Sequence, residues 1–376
     1  MRLLYVIDAL TPGGAETSLV EMTPGLIAGG IDLHVLPLRP GLDLAPALSA
    51  AGATVHRRSR TSGRVGNVRA VLSVARRIRP DLIHTTLFEA DVAGRVGARV
   101  LGIPSSSSLV NDSYSPAHYN EAATAKLHAA RALDAVTARS ATRFHAISEA
   151  IALSVPPRIG ASAAVVDVIP RGRDPHKYEF RPAALRTKTR DELGLSPQSP
   201  VILAIGRLDP QKGFDHLIQA LPEVATKHPG IVTMIAGKDG RSSVELRKAA
   251  QAAEAEIRFL GHRPDVPALL AAADVFCFPS EREGFGGVLI EALAVGCPVV
   301  ASSIPTSREV LGRGARPAAL FAPVGSHHQL AQALIETLED PALSAVRARE
   351  GRTHFEQSFT IDNVVSQMIA FFAKIT

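Results

Sequence analysis

The sequence predicts an α/β protein with two doubly wound parallel-sheet domains. Short β-branched apolar runs alternate with longer amphipathic runs, which is typical of a parallel sheet covered by helices on both faces. The runs form two series, and a polar stretch at 171–200 separates them. A chain of 376 residues with 46% hydrophobic content is long enough for two domains that each bury a core.

Strands are predicted where the apolar runs are short and rich in β-branched residues. In the first half they fall at 3–8, 32–38, 53–57, 82–86, 106–110, 143–148 and 165–170. In the second half they fall at 201–207, 232–237, 257–261, 275–280, 298–303 and 319–323. The expected domains are residues 1–175 and 176–359, with a cleft at the linker between them.

Cysteine usage and hydropathy indicate a cytoplasmic location. Cys277 and Cys297 both lie in apolar runs, where a thiol behaves as a small buried hydrophobe, so we expect no disulfide and a reducing compartment. The first apolar run soon reaches Asp8, which fits a buried strand better than a signal peptide. No stretch approaches the roughly 20 apolar residues of a membrane span.

The positive charge is concentrated in the first half of the chain. The formal net charge is +5, and all of this excess falls within residues 1–175, so an anionic partner should favour that half. We expect no nucleic-acid partner. Eight arginines occur without an acid between Asp43 and Asp81: Arg57, Arg58, Arg60, Arg64, Arg69, Arg76, Arg77 and Arg79.

The periodicity of residues 64–80 predicts a helix that buries Val65, Val68, Leu72 and Ala75. The arginines would then cover its other faces. One interpretation is an ordinary solvated outer helix. The other is peripheral membrane contact through 57–79, or contact with an anionic acceptor, because basic residues near an anionic membrane each contribute about 1 kcal/mol.

The first candidate ligand-binding motif is Gly13 and Gly14, which follow the first strand and open an amphipathic helix. Glycines allow close backbone approach, and the free amides of a helix start favour an anion. A tight turn without a ligand explains the same pattern. The G-x-G-x-x-G dinucleotide spacing is absent.

The second motif is Gly206–Gly213, placed where a strand ends. Ligands of open α/β sheets bind beyond the carboxyl ends of strands, so Arg207 leaves the sheet where a ligand would lie, and Lys212 follows five residues later. A guanidinium and an ammonium together suit a departing diphosphate. The alternative is two solvated surface cations.

The third motif runs from Glu281 to Leu293 and combines a Gly-rich turn with two carboxylates, Glu283 and Glu291. Amides near Gly286 can hold phosphate oxygens, whereas carboxylates repel phosphate and accept hydrogen bonds from sugar hydroxyls. The alternative makes Glu283 a helix-cap partner and Glu291 a member of a buried ion pair. The turn residues assigned to donor binding are Gly284, Phe285, Gly286, Gly287 and Val288.

These motifs in this order resemble glycosyltransferase family 4, a family of retaining enzymes with the GT-B fold. The Gly-Gly-Ala-Glu at 13–16, the Arg-Phe-Leu-Gly at 258–261, the Ala-Asp at 273–274 and the Pro-Ser at 279–280 also match. The resemblance covers nearly the whole chain and is most specific over 200–300. It implies two Rossmann-like domains that face a central cleft.

The resemblance also implies roles for individual residues. Arg207 and Lys212 would hold the donor diphosphate, Glu283 the transferred sugar and Glu291 the ribose. The Gly14 amide would approach the β-phosphate, beside Gly13, while Gly206 would flank Arg207. His262 and Arg263 would border the base. The family usually needs no metal, and its last helix, here about 360–376, crosses back to the N-terminal, acceptor-side domain.

Two departures from the family pattern concern the reaction centre. The family often has a histidine after the fifth N-terminal strand, where this chain offers Asn111, so histidine chemistry there is in doubt. The common Asn-Gly after the sixth strand is replaced at 171–174. Arg171 and Arg173 of that segment would bind an acidic acceptor or cap the linker.

Two histidines fall within predicted strands. We expect His84 to end a strand and face the ligand edge, where it is either a structural residue or an acceptor-side residue. The same alternatives apply to His145.

The sequence therefore predicts a metal-independent retaining glycosyltransferase without a cofactor. Its donor would be a nucleotide-diphosphate sugar, UDP before GDP, and its acceptor a small molecule, a glycan or a lipid-linked intermediate. The alternatives are a nucleotide-sugar epimerase of the same fold and a non-catalytic sugar-nucleotide-binding protein. The epimerase would convert the donor alone.

Overall fold

The computed structural model describes residues 1–57, 63–116, 124–312 and 317–376. The chain forms two compact units. Unit 1 comprises Met1–Gly172 together with Ile361–Thr376, and unit 2 comprises Arg173–Thr360. Each unit contains one parallel sheet flanked by helices, so the predicted pair of Rossmann-like domains is confirmed.

Unit 1 has a seven-stranded sheet with the order β3-β2-β1-β4-β5-β6-β7. The order reverses between β1 and β4, which gives the sheet its topological switch point. All seven predicted strands are present. They are β1 Arg2–Ile7, β2 Asp32–Pro37, β3 Thr54–Val55, β4 Leu82–Thr86, β5 Ser105–Leu109, β6 Arg143–Ala146 and β7 Val166–Val168.

The helices of unit 1 cover both faces of this sheet, as right-handed crossovers between parallel strands require. They are α1 Gly14–Ala28, α2 Ala45–Ala50, α3 Gly63–Ile78, α4 Phe88–Leu101, α5 Thr124–Ala138, α6 Glu149–Ser154, α7 Pro156–Ile159 and α16 Ile361–Ala373.

Helix α16 packs on α1 although the whole of unit 2 separates the two in sequence. Gly25 and Gly29 make this approach possible, because a Cβ at Gly25 would lie 2.9 Å from Val365 and one at Gly29 would overlap Ile369. The inner face of α16 carries Phe371 and Phe372, which are almost fully buried in the core formed around β1.

A hydrogen-bonded chain of polar side chains crosses the middle of the unit 1 sheet. His145 Nε2 donates to the Ile169 carbonyl at 2.8 Å, so its Nδ1 accepts from Ser108 Oγ at 2.9 Å. Ser108 then accepts from His84 Nε2 at 2.8 Å, and His84 Nδ1 accepts from Ser106 Oγ at 2.7 Å. The chain fixes both imidazoles in one neutral tautomer.

The predicted place of His84 at a strand end is wrong. His84 is the central residue of β4 and is fully buried, with its ring against Phe371 and Phe372. Burial, and then the neighbouring His145, lower its pKa well below the usual value. The structural interpretation of His84 therefore replaces the acceptor-side one.

The arginine-rich segment includes α3, but its buried stripe differs from the predicted one. The helix buries Ala70, Val71 and Val74, while Val65 is 66% exposed. Ala75 is buried as predicted, and Val68 and Leu72 are half-buried. The apolar stripe is turned because the small residues Gly66 and Ala70 share the buried side. Arg69, Arg76 and Arg77 are exposed, and Arg58 and Arg60 lie outside the described residues.

Unit 2 has a six-stranded sheet with the order β10-β9-β8-β11-β12-β13, and its switch point lies between β8 and β11. The six predicted strands are present. They are β8 Val201–Ile205, β9 Val232–Ala236, β10 Glu256–Gly261, β11 Val275–Phe278, β12 Val299–Ser302 and β13 Ala319–Ala322.

The helices of unit 2 bury their apolar faces against the same sheet. Cys277 and Cys297 are free and buried in this unit, as predicted. The helices are α8 Ala183–Glu192, α9 Phe214–Lys227, α10 Ser243–Ala252, α11 Val266–Ala272, α12 Gly287–Val295, α13 Pro305–Val310, α14 His327–Glu339 and α15 Pro341–Ser358.

The buried histidine chain should make unit 1 sensitive to acid. Burial lowers the pKa of His145 to about 4, whereas an unfolded histidine titrates near 6.5. Between these values the unfolded state holds more protons, so the contribution of His145 to stability falls as the pH is lowered. We expect wild type to lose on the order of 3 kcal/mol relative to His145→Gln between pH 7 and pH 4.

The measurement is urea unfolding of both proteins across this pH range. Glutamine keeps a donor and an acceptor but does not titrate, so only the imidazole changes charge. A constant difference in unfolding free energy between the two proteins would contradict the neutral buried state of His145.

Candidate active site

Two loops of unit 2 leave the sheet at its switch point. The first, after β8, begins with Gly206 and carries Arg207 and Lys212, and the second, after β11, carries Glu283. Strands β8 and β11 are paired neighbours, so their carboxyl ends bring the two loops side by side. This is the edge where ligands bind in open α/β sheets.

An ion pair joins the two loops. The Lys212 ammonium contacts Glu283 Oε1, and both side chains are more than four-fifths buried. Ser280 Oγ also donates to Glu283 Oε1 at 3.1 Å, and Ser280 is itself buried. The predicted residues Lys212 and Glu283 are therefore brought together, with one cation and one carboxylate at the same point of the sheet edge.

Arg207 is oriented separately from this pair. Its side chain is 64% exposed, and its Nε lies 2.5 Å from Asp209 Oδ2. Asp209 is largely buried and also accepts from the Arg241 amide at 2.9 Å, so it anchors the exposed guanidinium of Arg207. Asp209 was not singled out from the sequence, although it lies within the same motif.

Glycines allow the two loops to approach each other. Gly213 has φ +62°, and a Cβ there would overlap the Pro279 carbonyl oxygen at the end of β11. Gly206 leaves room for the Lys212 stem, because a Cβ at this position would lie 3.2 Å from Lys212 Cδ. The loop after β8 therefore depends on these glycines for its contact with the loop after β11.

The Gly-rich turn leads into α12, whose first amides have no side-chain cap. The cap residue Gly286 has φ +79°, and Phe285 is buried with its ring 5.9 Å from that of Phe359. Gly284 and Val288 belong to the same turn and are half-buried. Uncapped amides at a helix start are suited to phosphate oxygens.

Arg173 covers the start of this helix. Its Nε donates to Glu291 Oε1 at 2.7 Å, and a Cβ at Gly287 would lie 2.7 Å from its Nη2. Both charged side chains are about nine-tenths buried. Glu291 therefore belongs to a buried ion pair, as the alternative interpretation of the third motif predicts. Its partner, Arg173, is a residue that the sequence predicts on the acceptor side or at the linker.

His262 and Arg263 lie at the carboxyl end of β10, on the same edge but two strands from β8. Arg263 donates to both carboxylate oxygens of Asp265 at 2.7 and 2.5 Å, and His262 is exposed. The structure does not bring these residues into contact with Lys212 or Glu283.

The predicted residues of unit 1 lie at the carboxyl edge of its own sheet. Gly13 caps α1 without a side-chain hydrogen bond, and a Cβ at Gly14 would overlap the Arg171 guanidinium. Burial raises the pKa of Glu16 in the same helix turn, with a smaller opposing effect of Arg171. Asn111 is exposed after β5, and its Oδ1 accepts from Ser113 Oγ at 2.7 Å.

Within the described residues, no group of three or more histidine, cysteine or acidic side chains could hold a metal ion. No helix in that part of the chain is long and apolar enough to cross a membrane. The edge of unit 2 holds both cations and carboxylates, which together are suited to an organic anion with hydroxyl groups.

Two family descriptions match successive parts of the chain. Glycosyltransferase Family 4 matches residues 12–177, and Glycosyl transferases group 1 matches residues 186–354. Together with the two parallel-sheet units, these matches define an enzyme of the GT-B glycosyltransferase class. This chain belongs to glycosyltransferase family 4, so the non-catalytic alternative is set aside.

Similar proteins include several named glycosyltransferases, and their names specify different substrates. The 2-deoxystreptamine glucosyltransferase of Streptomyces kanamyceticus is 29% identical over 337 residues, covering 85% of this chain and 86% of the relative. A GDP-mannose-dependent phosphatidylinositol monomannoside mannosyltransferase of Corynebacterium glutamicum is 34% identical over 51% of this chain and 52% of its own. The Anabaena protein Alr3699/HepE, solved in complex with UDP-glucose, is 26% identical over the full length of both chains with a TM-score of 0.84.

The contact between the loops gives a stability prediction with a matched control. Gly213 and Gly194 have φ +62° and +61°, but a Cβ at Gly194 would meet nothing within 4 Å. Both alanine variants bear the cost of a left-handed backbone, about 1 kcal/mol. Only Gly213→Ala adds an overlap with the backbone, which typically costs a further 1–3 kcal/mol.

Urea unfolding of the two variants measures this difference directly. We expect Gly213→Ala to be less stable than Gly194→Ala and to lower activity as well, because it moves the Lys212 loop away from Glu283. Equal losses of stability would mean that the loops tolerate separation.

Proposed function

We propose that this glycosyltransferase transfers a hexosyl group from a nucleotide-diphosphate sugar to an acceptor hydroxyl with retention of anomeric configuration. The single observation that carries the proposal is the Lys212–Glu283 pair at the switch point of unit 2. A cation suits the phosphate that leaves, and a carboxylate beside it suits the hydroxyls of the sugar.

In the proposed reaction the bond between the anomeric carbon and the phosphate oxygen breaks as the acceptor oxygen bonds to the same face of that carbon. The proton of the acceptor hydroxyl passes to the departing phosphate oxygen. Lys212 and Arg207 stabilise the growing negative charge of the diphosphate. Glu283 orients the sugar while the positive charge develops on its ring.

UDP is the proposed nucleotide, with GDP second. The Anabaena protein that matches the full chain was solved with UDP-glucose, whereas the GDP-mannose-dependent relative matches about half of it. In this proposal the amides at the start of α12 receive phosphate oxygens, Glu291 receives the ribose, and the segment at His262 and Arg263 borders the base. No metal is required, because Arg207 and Lys212 supply the positive charge.

In unit 1 the proposal assigns Gly14 to the donor phosphate and Asn111 to orientation of the sugar without proton transfer. Peripheral membrane contact through the segment 57–79 is part of the same proposal. It rests on the exposed Arg69 and Arg76 and on the acid-free sequence around them.

Loss of either cation should slow the reaction. We expect Arg207→Ala and Lys212→Ala each to lower kcat/KM by at least ~10²-fold, because a charged donor at a reacting phosphate contributes about 3 kcal/mol. UDP should stabilise wild type in thermal unfolding by about 2.7 kcal/mol at 100 times its Kd. The assay uses UDP-glucose, with and without acceptor.

Arg99→Gln is the control for this comparison, since it removes an exposed arginine on α4. Near-native kinetics in both alanine variants would overturn the assigned roles.

Conversion of the sugar in the absence of acceptor would indicate an epimerase. Treatment with EDTA tests the proposed metal independence, and we expect it to leave turnover unchanged.

Glu283 and Glu291 should have separable effects. Glu283→Gln should lower kcat by about 10- to 100-fold while UDP binding stays near wild type, because a charged hydrogen bond contributes about 1.5–3 kcal/mol. Glu291→Gln should weaken UDP binding instead. Calorimetry with UDP and initial rates with UDP-glucose give the two quantities.

The double variant Arg173→Gln/Glu291→Gln separates ribose contact from structure. If Glu291 acts only by pairing with Arg173, removal of both charges should restore UDP affinity, and the ribose assignment would be wrong. If Glu291 contacts the ribose, affinity should stay low in the double variant.

A further inference from the structure

A second cluster of charged side chains lies at the switch point of unit 1. Asp8 follows β1, and Glu89 lies in the first turn of α4, directly after β4. Strands β1 and β4 are paired, and the sheet order reverses between them, so both carboxylates stand where an open α/β sheet binds ligands. Arg39, beyond β2, and Arg64, at the start of α3, complete the cluster.

The turn that presents Glu89 has a costly backbone conformation. Leu87, the cap residue of α4, has φ +79° and ψ 156°, a region that is almost exclusively populated by glycine. Asp8 Oδ1 holds the turn by accepting from the Ala90 amide at 2.8 Å. Non-glycine residues in such conformations cost on the order of 1–3 kcal/mol and concentrate at functional sites.

The charged groups of the cluster face one another without forming hydrogen bonds. Arg39 lies 4.0 Å from Asp8 Oδ2 through one Nη and 3.6 Å from Glu89 Oε1 through the other. Arg64 Nε also lies 3.6 Å from Glu89 Oε1. Within the described residues, neither arginine side chain makes a hydrogen bond, and Glu89 accepts only from Asn67 at the long distance of 3.5 Å.

The separations of 3.6–4.0 Å between these guanidinium and carboxylate groups are suited to the hydroxyl groups of a ligand. A hydroxyl donates one hydrogen bond and accepts others, so its oxygen can sit about 2.8 Å from a carboxylate and from a guanidinium that are themselves too far apart to bond. Because each Nη of Arg39 faces a different carboxylate, two hydroxyls on neighbouring carbons match this geometry. The carboxylates are mostly buried and the arginines half-exposed, so the cluster is reachable from outside.

The charge balance argues against a phosphate in the same position. Any phosphate close enough to bond Arg39 would also lie beside Asp8 and Glu89, whose charges repel it. Burial raises the pKa of Asp8, but Arg39 and the amides of the α4 turn oppose this effect. Arg69, Arg76 and Arg77, which add to the positive charge of the first half, lie elsewhere on α3, outside this cluster.

We propose that Asp8, Glu89, Arg39 and Arg64 form the acceptor subsite and select a phosphate-free polyhydroxylated ring through a pair of neighbouring hydroxyls. The ring is a cyclitol or sugar, neutral or amine-bearing. This inference rests on the proposed glycosyl transfer and gives its acceptor a chemical class. It distinguishes this chain from relatives whose names specify phosphatidylinositol or inositol phosphate acceptors.

The test measures probe binding by saturation-transfer NMR on the full chain, so it does not depend on turnover. The probes are myo-inositol, 2-deoxystreptamine and myo-inositol 1-phosphate. We expect one or both phosphate-free rings to bind at least ~10-fold more tightly than myo-inositol 1-phosphate, because the like-charged carboxylates repel the phosphate, and a tenfold loss of affinity corresponds to about 1.4 kcal/mol. Comparison of the two phosphate-free probes separates a neutral from an amine-bearing ring.

Glu89→Gln and Arg39→Gln should each weaken binding of the preferred ring by at least ~5-fold, as expected for loss of a charged hydrogen bond. Both variants should leave UDP binding unchanged. The control Arg99→Gln should change neither ring binding nor UDP binding. Tighter binding of the phosphate probe, absence of ring binding, or wild-type affinity in both variants would overturn the subsite. Failure of the proposed function would be recognised separately, because the wild-type protein would then show no UDP binding or no transfer from UDP-glucose.

Discussion

The buried pair between Lys212 and Glu283 is the interaction on which the edge of unit 2 depends. Each charge is mostly removed from water, and each is tolerable only because the other lies beside it. The pair also ties the loop after β8 to the loop after β11. Both the close approach at Gly213 and the position of Ser280 therefore follow from bringing these two side chains together.

Most of the fold was predictable because parallel strands buried on both faces are continuous apolar runs. The run at 201–207 and the run at 275–280 predicted β8 and β11 to within two residues at each end. The number of strands and their parallel orientation followed for the same reason. The buried side of α3 was less certain, because glycine and alanine pack inward as readily as valine, and periodicity of large residues alone placed Val65 wrongly.

Residues of the candidate site could be predicted from the sequence only where they belong to a local motif. Arg207, Lys212 and Glu283 are adjacent to glycines that mark turns at strand ends. The partnership of Arg173 with Glu291 spans 118 residues and leaves no local pattern. Asp8 and Glu89 were not assigned a role because isolated acids after strands are common, and only the sheet order places them side by side. His84 was misplaced because a polar residue within β4 imitates the end of an apolar strand.

The position of helix α16 at the end of the chain affects how unit 1 folds during translation. Its phenylalanines fill the core around β1, yet all of unit 2 must be translated before they leave the exit tunnel. At bacterial or eukaryotic elongation rates this delay is on the order of ten seconds or more. During that time the nascent first unit exposes the apolar groove on α1 that Gly25 and Gly29 keep open. Chaperones that shield apolar surface would therefore act on this groove while the second unit is being made.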